Sequence, residues 1–473
     1  MPCVSTYDFV VIGGGSAGYA GARTAAALGL KTAVVEGAAE LGGLCILRGC
    51  MPSKALLESA SRYRAIRKAG EFGLSAGHHG FDAAQIIARK RRLIADFAGY
   101  RGDQLRDGRF DLLRGSAEFT GPNSLVVTDP DGAQSFIEAR TILIASGSAQ
   151  SLPDVPGLAD AGCLTSDDLL DRESIPESMI VLGGGPVALE MASYCHAFGS
   201  KVTIIQRSPH ILRGSDKDAA DALADGLRGD GLEILTGTKL LRLEKSGDGR
   251  RVVFLQGGGE KRVVADEILN ALGRHARLPA GVPVLLADGK VAVGPTQQTS
   301  MPHIFAAGDV CSPLEVVHVA IQQGEVAARN AAALLSGRNA PLESMDYRLK
   351  LFAVFTEPGF ACVGETEEEL VARGISFRTA KYPFNDHGKS LVMGETSGFV
   401  KLIAGDLSGE ILGASIVGPE AAELIHEIVV AMRFHATAAD LAAIPHYHPT
   451  LSEIWTYPAE ELAGAWRAVS TIL

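Results

Sequence analysis

Cys45 and Cys50 are separated by four residues and are followed by Pro52 and an apolar helical pattern. A thiol at the start of a helix faces the positive end of the helix dipole, which favours the reactive thiolate form. Two thiols this close in sequence can form and reopen a disulfide. The same spacing also suits two inert thiols in a packed core. The chain has seven cysteines, and this odd number does not predict a framework of structural disulfides.

The elements before this cysteine pair have a strand–helix–strand pattern. An apolar run over residues 7–12 predicts a strand, an alanine-rich helix follows to Leu28, and a second short strand ends at Glu36. The turn between the first strand and the helix contains Gly13, Gly15, Ser16 and Gly18. Glycines let the backbone approach a pyrophosphate closely, the helix start binds phosphate, and an acid at the next strand end binds ribose hydroxyls. The pattern predicts a dinucleotide site.

A second glycine fingerprint, formed by Gly183, Gly185 and Ala188, follows the predicted strand 178–182. The next predicted strand, 201–205, is followed by Gln206 where an NAD site normally has an acid. Arg207 and Arg213 come just after it and could bind a 2′-phosphate. The pattern favours NADPH over NADH, and the alternative is two arginines on a solvated loop.

Length and composition exclude several classes of protein. The 473 residues suggest about three domains. With 47% hydrophobic residues, 6% aromatic residues and 55 glycines, the composition is typical of α/β domains. A net charge of −11 argues against a nucleic-acid partner. No apolar run is long enough for a membrane span and no signal sequence is recognised, so we expect a cytoplasmic protein.

The segment from Cys45 through Cys50 to Pro52-Ser53-Lys54 resembles the signature of the flavoprotein disulfide reductases, the class I pyridine nucleotide-disulfide oxidoreductases. Glutathione reductase, dihydrolipoamide dehydrogenase and mercuric reductase belong to this family. The resemblance covers nearly the whole chain in order, since residues 141–148 and 304–309 are similar to its later FAD-contact segments. Residues 358–369 and 394–403 are similar to its dimerisation domain. It implies bound FAD and a homodimer whose active site is shared between subunits.

This resemblance also implies roles for individual residues. Cys45 is expected to be the interchange thiol that attacks the substrate disulfide, and Cys50 the thiol beside the flavin. Lys54 and Glu190 are expected to pair near flavin N5. His448 and Glu453 resemble the acid–base pair that the other subunit supplies. The expected cofactor contacts extend to Gly43, Leu44, Lys54, Ala117, Ser146, Gly147, Gly273 and Asp309.

The expected fold is α/β, with two Rossmann-like dinucleotide-binding domains and a C-terminal α+β dimerisation domain. Its expected boundaries are 1–150 for the FAD domain, 151–279 for the NAD(P) domain, 280–345 for a segment completing the FAD domain, and 346–473 for the interface domain. His446 and His448 could form a metal pair, but no further ligand cluster accompanies them, so no metal is expected.

The substrate is less well defined by the sequence. Ser16 and Arg23 lie where glutathione reductases contact their substrate, but Glu325 replaces a second arginine and disfavours glutathione. A lipoyl group, another small disulfide or a protein disulfide remain as alternatives. Residues 469–473 lack the terminal cysteine pair of mercuric reductases and of high-molecular-weight thioredoxin reductases. Arg48, between the thiols, is expected to lower a thiol pKa or to attract an anionic substrate.

The leading hypothesis is therefore an oxidoreductase that passes a hydride from NADPH to FAD, and electrons through Cys45 and Cys50 to a disulfide. The first alternative is a dihydrolipoamide dehydrogenase, a class that shares Leu451-Ser452-Glu453 but normally prefers NAD. The second is a non-catalytic flavoprotein that senses redox state.

Overall fold

A computed structural model describes residues 4–77, 79–247, 249–337 and 341–470, so Cys3 lies outside the described residues. The described chain is mixed α/β and divides into two compact units. The first unit comprises Met1–Ala55, Gln85–Ser151 and Gly273–Asp346. The second comprises Leu56–Ala84, Leu152–Leu272 and Tyr347–Leu473. Among the described residues, none of the helices is both long and apolar enough to cross a membrane.

Helices and strands are numbered in chain order. The helices are α1 (Ser16–Ala27), α2 (Gly43–Leu47), α3 (Cys50–Arg67), α4 (Ala83–Leu105), α5 (Ser166–Asp171), α6 (Pro186–Ala197), α7 (Lys217–Gly229), α8 (Val317–Leu335), α9 (Glu367–Ala372), α10 (Gly388–Met393), α11 (Ala421–Arg433), α12 (Ala438–Ala443) and α13 (Thr456–Ser470). Short 3-10 helices cover Ala69–Phe72, Tyr347–Leu349, Phe384–Asp386 and Ser452–Trp455.

The strands of the first unit are β1 (Val4–Ile12), β2 (Thr32–Glu36), β3 (Asp111–Arg114), β4 (Ser116–Phe119), β5 (Ser124–Thr128), β6 (Gln134–Ile144), β7 (Ser148–Gln150), β15 (Arg274–Ala276), β16 (Leu286–Ala287), β17 (Lys290–Val291) and β18 (Ile304–Ala306). Those of the second unit are β8 (Ser178–Leu182), β9 (Lys201–Ile205), β10 (Glu233–Leu235), β11 (Lys239–Ser246), β12 (Gly249–Gln256), β13 (Gly259–Ala265), β14 (Glu267–Asn270), β19 (Leu351–Val354), β20 (Gly359–Gly364), β21 (Phe377–Pro383), β22 (Phe399–Gly405) and β23 (Ile411–Gly418).

The first unit is built on one sheet with the order β3-β2-β1-β6-β5-β4, and β18 pairs with β6. Strands β3, β2, β1, β6 and β18 are parallel, and β4 and β5 form an antiparallel extension. Alternate residues of β1 enter different cores, Phe9 and Val11 on one face and Val10 and Ile12 on the other. Burial on both faces explains why these parallel strands are continuous apolar runs in the sequence.

The second unit contains a parallel sheet, β10-β9-β8-β14, and a three-stranded antiparallel sheet, β11-β12-β13. Its C-terminal part is a five-stranded antiparallel sheet, β19-β20-β23-β22-β21. Buried residues of helices α11, α12 and α13 share a core with this last sheet, around the fully buried Trp455. Two dinucleotide-type sheets and a separate α+β portion agree with the fold class expected from the sequence.

Most of the elements predicted from the sequence are present. The predicted strands 178–182 and 201–205 coincide with β8 and β9, and the helix predicted from Ala421 is α11. One detail of the cysteine segment differs. The sequence predicted both thiols at one helix start, but only Cys50 begins α3, while Cys45 lies inside the short helix α2. The domain boundaries stay predictions.

Candidate active site

Cys45 and Cys50 are adjacent as free thiols in the first unit. The Cys45 thiol donates a hydrogen bond to Cys50, and burial adds to this effect, so the pKa of Cys45 is raised well above its usual value. Negative charge on Cys50 raises it further. The reduced Cys45 thiol therefore holds its proton more strongly than an isolated cysteine does.

The charge that opposes this shift comes from Lys54, one turn into α3, because its ammonium group lowers the pKa of Cys45. Arg48 was expected to act in this way. The guanidinium of Arg48 lies 3.9 Å from Glu40 and 3.3 Å from the carbonyl of Leu47. Lys54 therefore provides positive charge at the thiol pair, and the effect of Arg48 on a thiol pKa stays a prediction.

Four other described cysteines have environments that suppress reactivity. Burial raises the pKa of Cys163 to about 11 and that of Cys195, Cys311 and Cys362 to about 12. Burial is the first cause of these four shifts, whereas the first cause at Cys45 is its hydrogen bond to a second sulfur. The four side chains therefore suit packing rather than exchange chemistry. Cys45 and Cys50 are the pair with a nearby positive charge and a partner sulfur.

The first glycine fingerprint brings backbone segments into close contact. A Cβ added at Gly18 would lie 1.8 Å from the carbonyl oxygen of Gly13, and one at Gly43 would lie 2.6 Å from the Cα of Gly15. The backbone segments therefore approach one another as only glycine allows. Glu36 Oε2 accepts a hydrogen bond from the backbone N–H of Gly14 over 2.7 Å, which fixes the acid at the end of β2 beside the turn.

A second group of predicted cofactor contacts lies around Asp309. Ser148 donates a hydrogen bond to Asp309 over 2.6 Å and accepts one from Arg274 over 2.8 Å. The backbone of Gly147 accepts from the N–H of Arg277, and Ser146 donates to the carbonyl of Arg277 over 2.5 Å. Gly273 accepts from the N–H of Ser151. Leu44 is exposed in α2, and Ala117 is half-buried in β4.

The second glycine fingerprint has a turn like that of the first, but the strand that follows it is succeeded by a different residue type. Gly183 has a φ of +116°, and Gly185 is the N-cap of α6 with nothing near the position of an added Cβ. Ala188 is fully buried in α6. Gln206 takes the place that Glu36 has in the first unit, since a Cβ at Gly184 would lie 3.0 Å from its Cγ. The ribose end thus presents a neutral amide.

Arg207 and Arg213 follow this amide as exposed side chains. No carboxylate in the described part of the chain lies within ion-pair distance of either guanidinium group. Glu190, in α6, is buried, and its Oε1 accepts a hydrogen bond from the backbone N–H of Phe355 over 3.2 Å. The pairing of Glu190 with Lys54 stays a prediction.

The predicted acid–base pair is formed within the second unit. His448 Nδ1 lies 3.0 Å from Glu453 Oε2 and 3.2 Å from Oε1. Glu453 is nearly buried in the 3-10 helix Ser452–Trp455, whereas the His448 side chain is 78% exposed. The carboxylate therefore fixes Nδ1 and leaves Nε2 of the imidazole directed away from it, as a proton acceptor requires.

Two protein-family models cover most of the chain. Residues 7–324 match the model described as pyridine nucleotide-disulphide oxidoreductase. Residues 352–459 match the dimerisation domain of the same family. The chain belongs to the pyridine nucleotide-disulphide oxidoreductase family.

Relatives within this oxidoreductase family are similar over nearly their whole length. A dihydrolipoyl dehydrogenase of Thermus scotoductus is 38% identical over 97% of this chain and 98% of its own. The dihydrolipoyl dehydrogenase of Bacillus subtilis is 34% identical over 94% of this chain and 96% of its own. Dihydrolipoyl dehydrogenase 3 of Pseudomonas putida is 32% identical over 98% of this chain and 99% of its own. These relatives favour the first alternative drawn from the sequence over its leading hypothesis.

Membership in the family confirms that the protein is an oxidoreductase acting on sulfur groups, and it implies FAD and a nicotinamide nucleotide. The residues present fit both nucleotides, since each fingerprint is a tight glycine turn at a helix start: an added Cβ would lie 1.8 Å from a backbone oxygen at Gly18 and 2.4 Å from one at Gly183. The first fingerprint has a fixed acid at its ribose end, and the second has an amide and two arginines. The C-terminal domain agrees with the expected homodimer.

Two features of the site were not recognised in the sequence. Arg101, in α4, lies with its guanidinium carbon 4.0 Å from the ring centroid of Tyr19. Burial lowers the pKa of Arg101, and Cys45 is one of the groups that oppose this shift. His387 lies behind the Glu453 carboxylate. Neither residue is near its partner in sequence, so no local motif reveals them.

Proposed function

We propose that this protein catalyses the dihydrolipoyl dehydrogenase reaction, the reversible transfer of two electrons between a lipoyl dithiol and a nicotinamide nucleotide. The observation that carries the proposal is the adjacent pair of Cys45 and Cys50, with Cys50 at the start of α3. The names of the full-length relatives support the lipoyl group as substrate.

In the proposed reaction, the dihydrolipoyl group loses two electrons and two protons. One of its sulfurs attacks Cys45 of the oxidised Cys45–Cys50 pair, and the S–S bond breaks with the electron pair leaving on Cys50. The second substrate sulfur then displaces Cys45 and closes the lipoyl ring. FAD, when bound, carries the two electrons from the reduced pair to the nicotinamide.

His448 is proposed to accept and return the protons in these exchanges. A thiolate is the attacking species, so a nearby base must remove the proton from each incoming thiol. Because Glu453 accepts from His448 Nδ1–H, the free Nε2 has the lone pair that this role needs. The homodimer, with this pair supplied to the partner's thiols, is part of the same proposal.

Contacts of Arg23 support a lipoyl rather than a glutathione substrate. Its Nη2 donates to Glu325 Oε1 over 2.8 Å, so the cation that could bind a glutathione carboxylate is already neutralised. A lipoyl amide carries no carboxylate near its disulfide and needs no such cation.

For the nucleotide, we propose NADPH as the preferred form. Gln206, Arg207 and Arg213 support this preference, because the strand end lacks the acid that repels a 2′-phosphate and offers two cations without carboxylate partners in the described chain. The relatives point the other way, since dihydrolipoyl dehydrogenases normally prefer NAD. Comparing the two nucleotides with the same substrate decides between them.

Steady-state oxidation of dihydrolipoamide with NAD⁺ and with NADP⁺, and reduction of lipoamide in the other direction, test the proposed function. We expect turnover in wild-type protein that is abolished in Cys45→Ser and Cys50→Ser. We expect it to fall by roughly 10²–10⁴-fold in His448→Gln, as for loss of a general base. Cys163→Ser is the matched control and should be as active as wild type.

If the purified protein binds FAD but turns over neither substrate with either nucleotide, the catalytic proposal is wrong. That result would favour the non-catalytic flavoprotein. Turnover of a different disulfide with the same dependence on Cys45, Cys50 and His448 would keep the chemistry and reject the lipoyl substrate.

A further inference from the structure

Three guanidinium groups surround the ring of Tyr19 in the first unit. The guanidinium carbon lies 4.0 Å from the ring centroid for Arg101, 5.9 Å for Arg23 and 6.0 Å for Arg109. Arg109 also donates a hydrogen bond to the Tyr19 hydroxyl over 3.1 Å. An aromatic face attracts a cation, but three cations around one ring repel one another unless nearby anions compensate their charge.

Two of these three arginines have a carboxylate partner. Arg23 Nη2 lies 2.8 Å from Glu325 Oε1, and Arg109 Nε lies 2.7 Å from Asp107 Oδ2. The hydrogen bond between Arg109 and Asp107 raises the pKa of the arginine and lowers the pKa of the acid, as in an ion pair. The charges of Arg23 and Arg109 are therefore compensated within the protein.

Arg101 has no carboxylate partner in the described chain. Its Nε donates to the neutral amide oxygen of Gln104 over 3.1 Å, and its two terminal nitrogens have no hydrogen-bond acceptor among the described residues. Burial lowers the pKa of Arg101, because a half-buried cation has lost part of its hydration. The planar fork of a guanidinium group is suited to bind a carboxylate through two parallel hydrogen bonds.

The guanidinium of Arg101 lies in the same part of the first unit as the reactive thiols. A Cβ added at Gly102, the next residue of α4, would lie 3.9 Å from Cδ1 of Leu41. Leu41 shares a hydrophobic core with Tyr19 and comes just before α2, the helix that contains Cys45. The negative charge of Cys45 favours the charged form of Arg101, so the two groups are within electrostatic range.

We propose that Arg101 is a specificity-determining residue that binds a carboxylate of the substrate, so that the protein prefers free dihydrolipoate to dihydrolipoamide. This inference rests on the proposed lipoyl substrate. The two compounds have the same dithiol and the same alkyl chain, and they differ only in the charge at the end of that chain. With the dithiol at Cys45, a carboxylate at the chain end would compensate the charge of Arg101, whereas a neutral amide would not.

Steady-state oxidation of dihydrolipoate and of dihydrolipoamide with the same nucleotide measures this preference. Wild type should have the higher kcat/KM for the acid. In Arg101→Met, kcat/KM for the acid should fall by about 10-fold or more, the effect of losing a charged hydrogen bond, and kcat/KM for the amide should change by less than about twofold. Arg101→Lys keeps the positive charge and should retain part of the preference.

Arg109→Met is the matched control. It removes a guanidinium group from the same ring of Tyr19, but one whose charge Asp107 already compensates. This variant should therefore keep the wild-type ratio of kcat/KM for the acid and the amide. The FAD content and thermal denaturation of each variant show whether it is folded.

Calorimetric titration of the oxidised holoenzyme with octanoate and with octanamide tests the same site without turnover. Both probes have an acyl chain of the same length as that of lipoate, but they lack its sulfurs. Wild type should bind octanoate more tightly than octanamide. Arg101→Met should lose this difference, and Arg109→Met should keep it. If Arg101→Met fails to fold, Arg101→Gln takes its place, since its side chain is also neutral.

An acid preference that persists in folded Arg101→Met, or octanoate binding no tighter than that of octanamide in wild type, overturns the proposal. A loss of equal size for acid and amide also overturns it, because Arg101 would then support the fold and not the recognition of charge. Octanoate binding that depends on Arg101, in a protein that turns over neither lipoyl compound, would reject the proposed function and keep the carboxylate site.

Discussion

Arg23 donates a hydrogen bond to Glu325 over 2.8 Å, and this ion pair occupies the arginine that the sequence matched to glutathione binding. Glu325 also lies 3.9 Å from Arg329, so its charge is shared between two guanidinium groups. The sequence suggested that Glu325 would repel a substrate carboxylate. The structure gives a second reason against glutathione, because the same acid also neutralises Arg23.

This pairing predicts that wild-type protein reduces glutathione disulfide at a negligible rate compared with lipoamide. Glu325→Gln should free Arg23 and raise kcat/KM for glutathione disulfide severalfold, while lipoamide reduction changes little. Parallel assays of the two disulfides at one nucleotide concentration measure the effect. Efficient reduction of glutathione disulfide by wild-type protein would contradict the assignment of this pair.

The residues that follow β9 predict how substitutions that change their charge will alter the preference between NADPH and NADH. Arg207→Ala and Arg213→Ala should each raise KM for NADPH by about 10-fold or more, the effect of losing one charged hydrogen bond, and should leave KM for NADH nearly unchanged. Gln206→Glu should invert the preference, because an acid there resembles Glu36 in the first fingerprint. Arg262→Ala, an exposed arginine on β13, is the control. Equal losses with both nucleotides would mean that the arginines do not contact a 2′-phosphate.

The close contact of Gly43 with Gly15 predicts a specific loss of cofactor. Gly43 has a φ of +71°, and its added Cβ would lie 2.6 Å from the Cα of Gly15. Gly43→Ala should therefore separate these segments and lower the FAD content of purified protein, measured from the visible absorbance per chain. Gly99→Ala, in α4 with nothing near its added Cβ, is the control and should retain FAD. Full FAD content in Gly43→Ala would contradict the proposed contact.

Lys401 is far from Cys45 and Cys50 in sequence, and its substitution is expected to lower the free energy of unfolding substantially. It is 1% exposed and lies among Asp216 at 2.9 Å, Asp218 at 3.1 Å and Glu367. Lys401→Met would leave these carboxylates close together without their cation, at a cost of about 3–5 kcal/mol. Lys381→Met, which removes a more exposed partner of Asp218, should cost about 1 kcal/mol or less. Thermal denaturation compares the two variants.

The carboxylates around Lys401 also determine whether stability rises or falls with pH. Burial alone would raise the pKa of Asp218, but hydrogen bonds from Lys381 and Lys401 lower it below its ordinary value. A depressed pKa contributes stability that is present above the unfolded-state value of about 3.9 and is lost as the pH falls below it. The difference in free energy of unfolding between wild type and Lys401→Met should therefore become smaller below about pH 4. A difference that does not change with pH would contradict this account of the cluster.

Local patterns predicted the parts of the fold and site that depend on neighbouring residues. The turn at Gly13, the strand ending at Glu36 and the helix beginning at Cys50 each follow from a short stretch of sequence. His387 and Glu453 are 66 residues apart in number and meet only through packing of the C-terminal domain, so no spacing rule reveals them. The sequence also does not show which group a charged side chain will contact. Arg48, for example, lies near Glu40.

The redox role of Cys45 and Cys50 is the central claim, and an anaerobic reductive titration tests it most directly. Purified holoenzyme is titrated with NADPH and, separately, NADH while its visible spectrum is recorded. We expect two electrons per FAD to produce a long-wavelength thiolate–flavin band in wild type, and we expect this band to be lost in Cys50→Ser. Simple bleaching of the flavin in wild type, with no such band, would show that the two cysteines are not a redox pair.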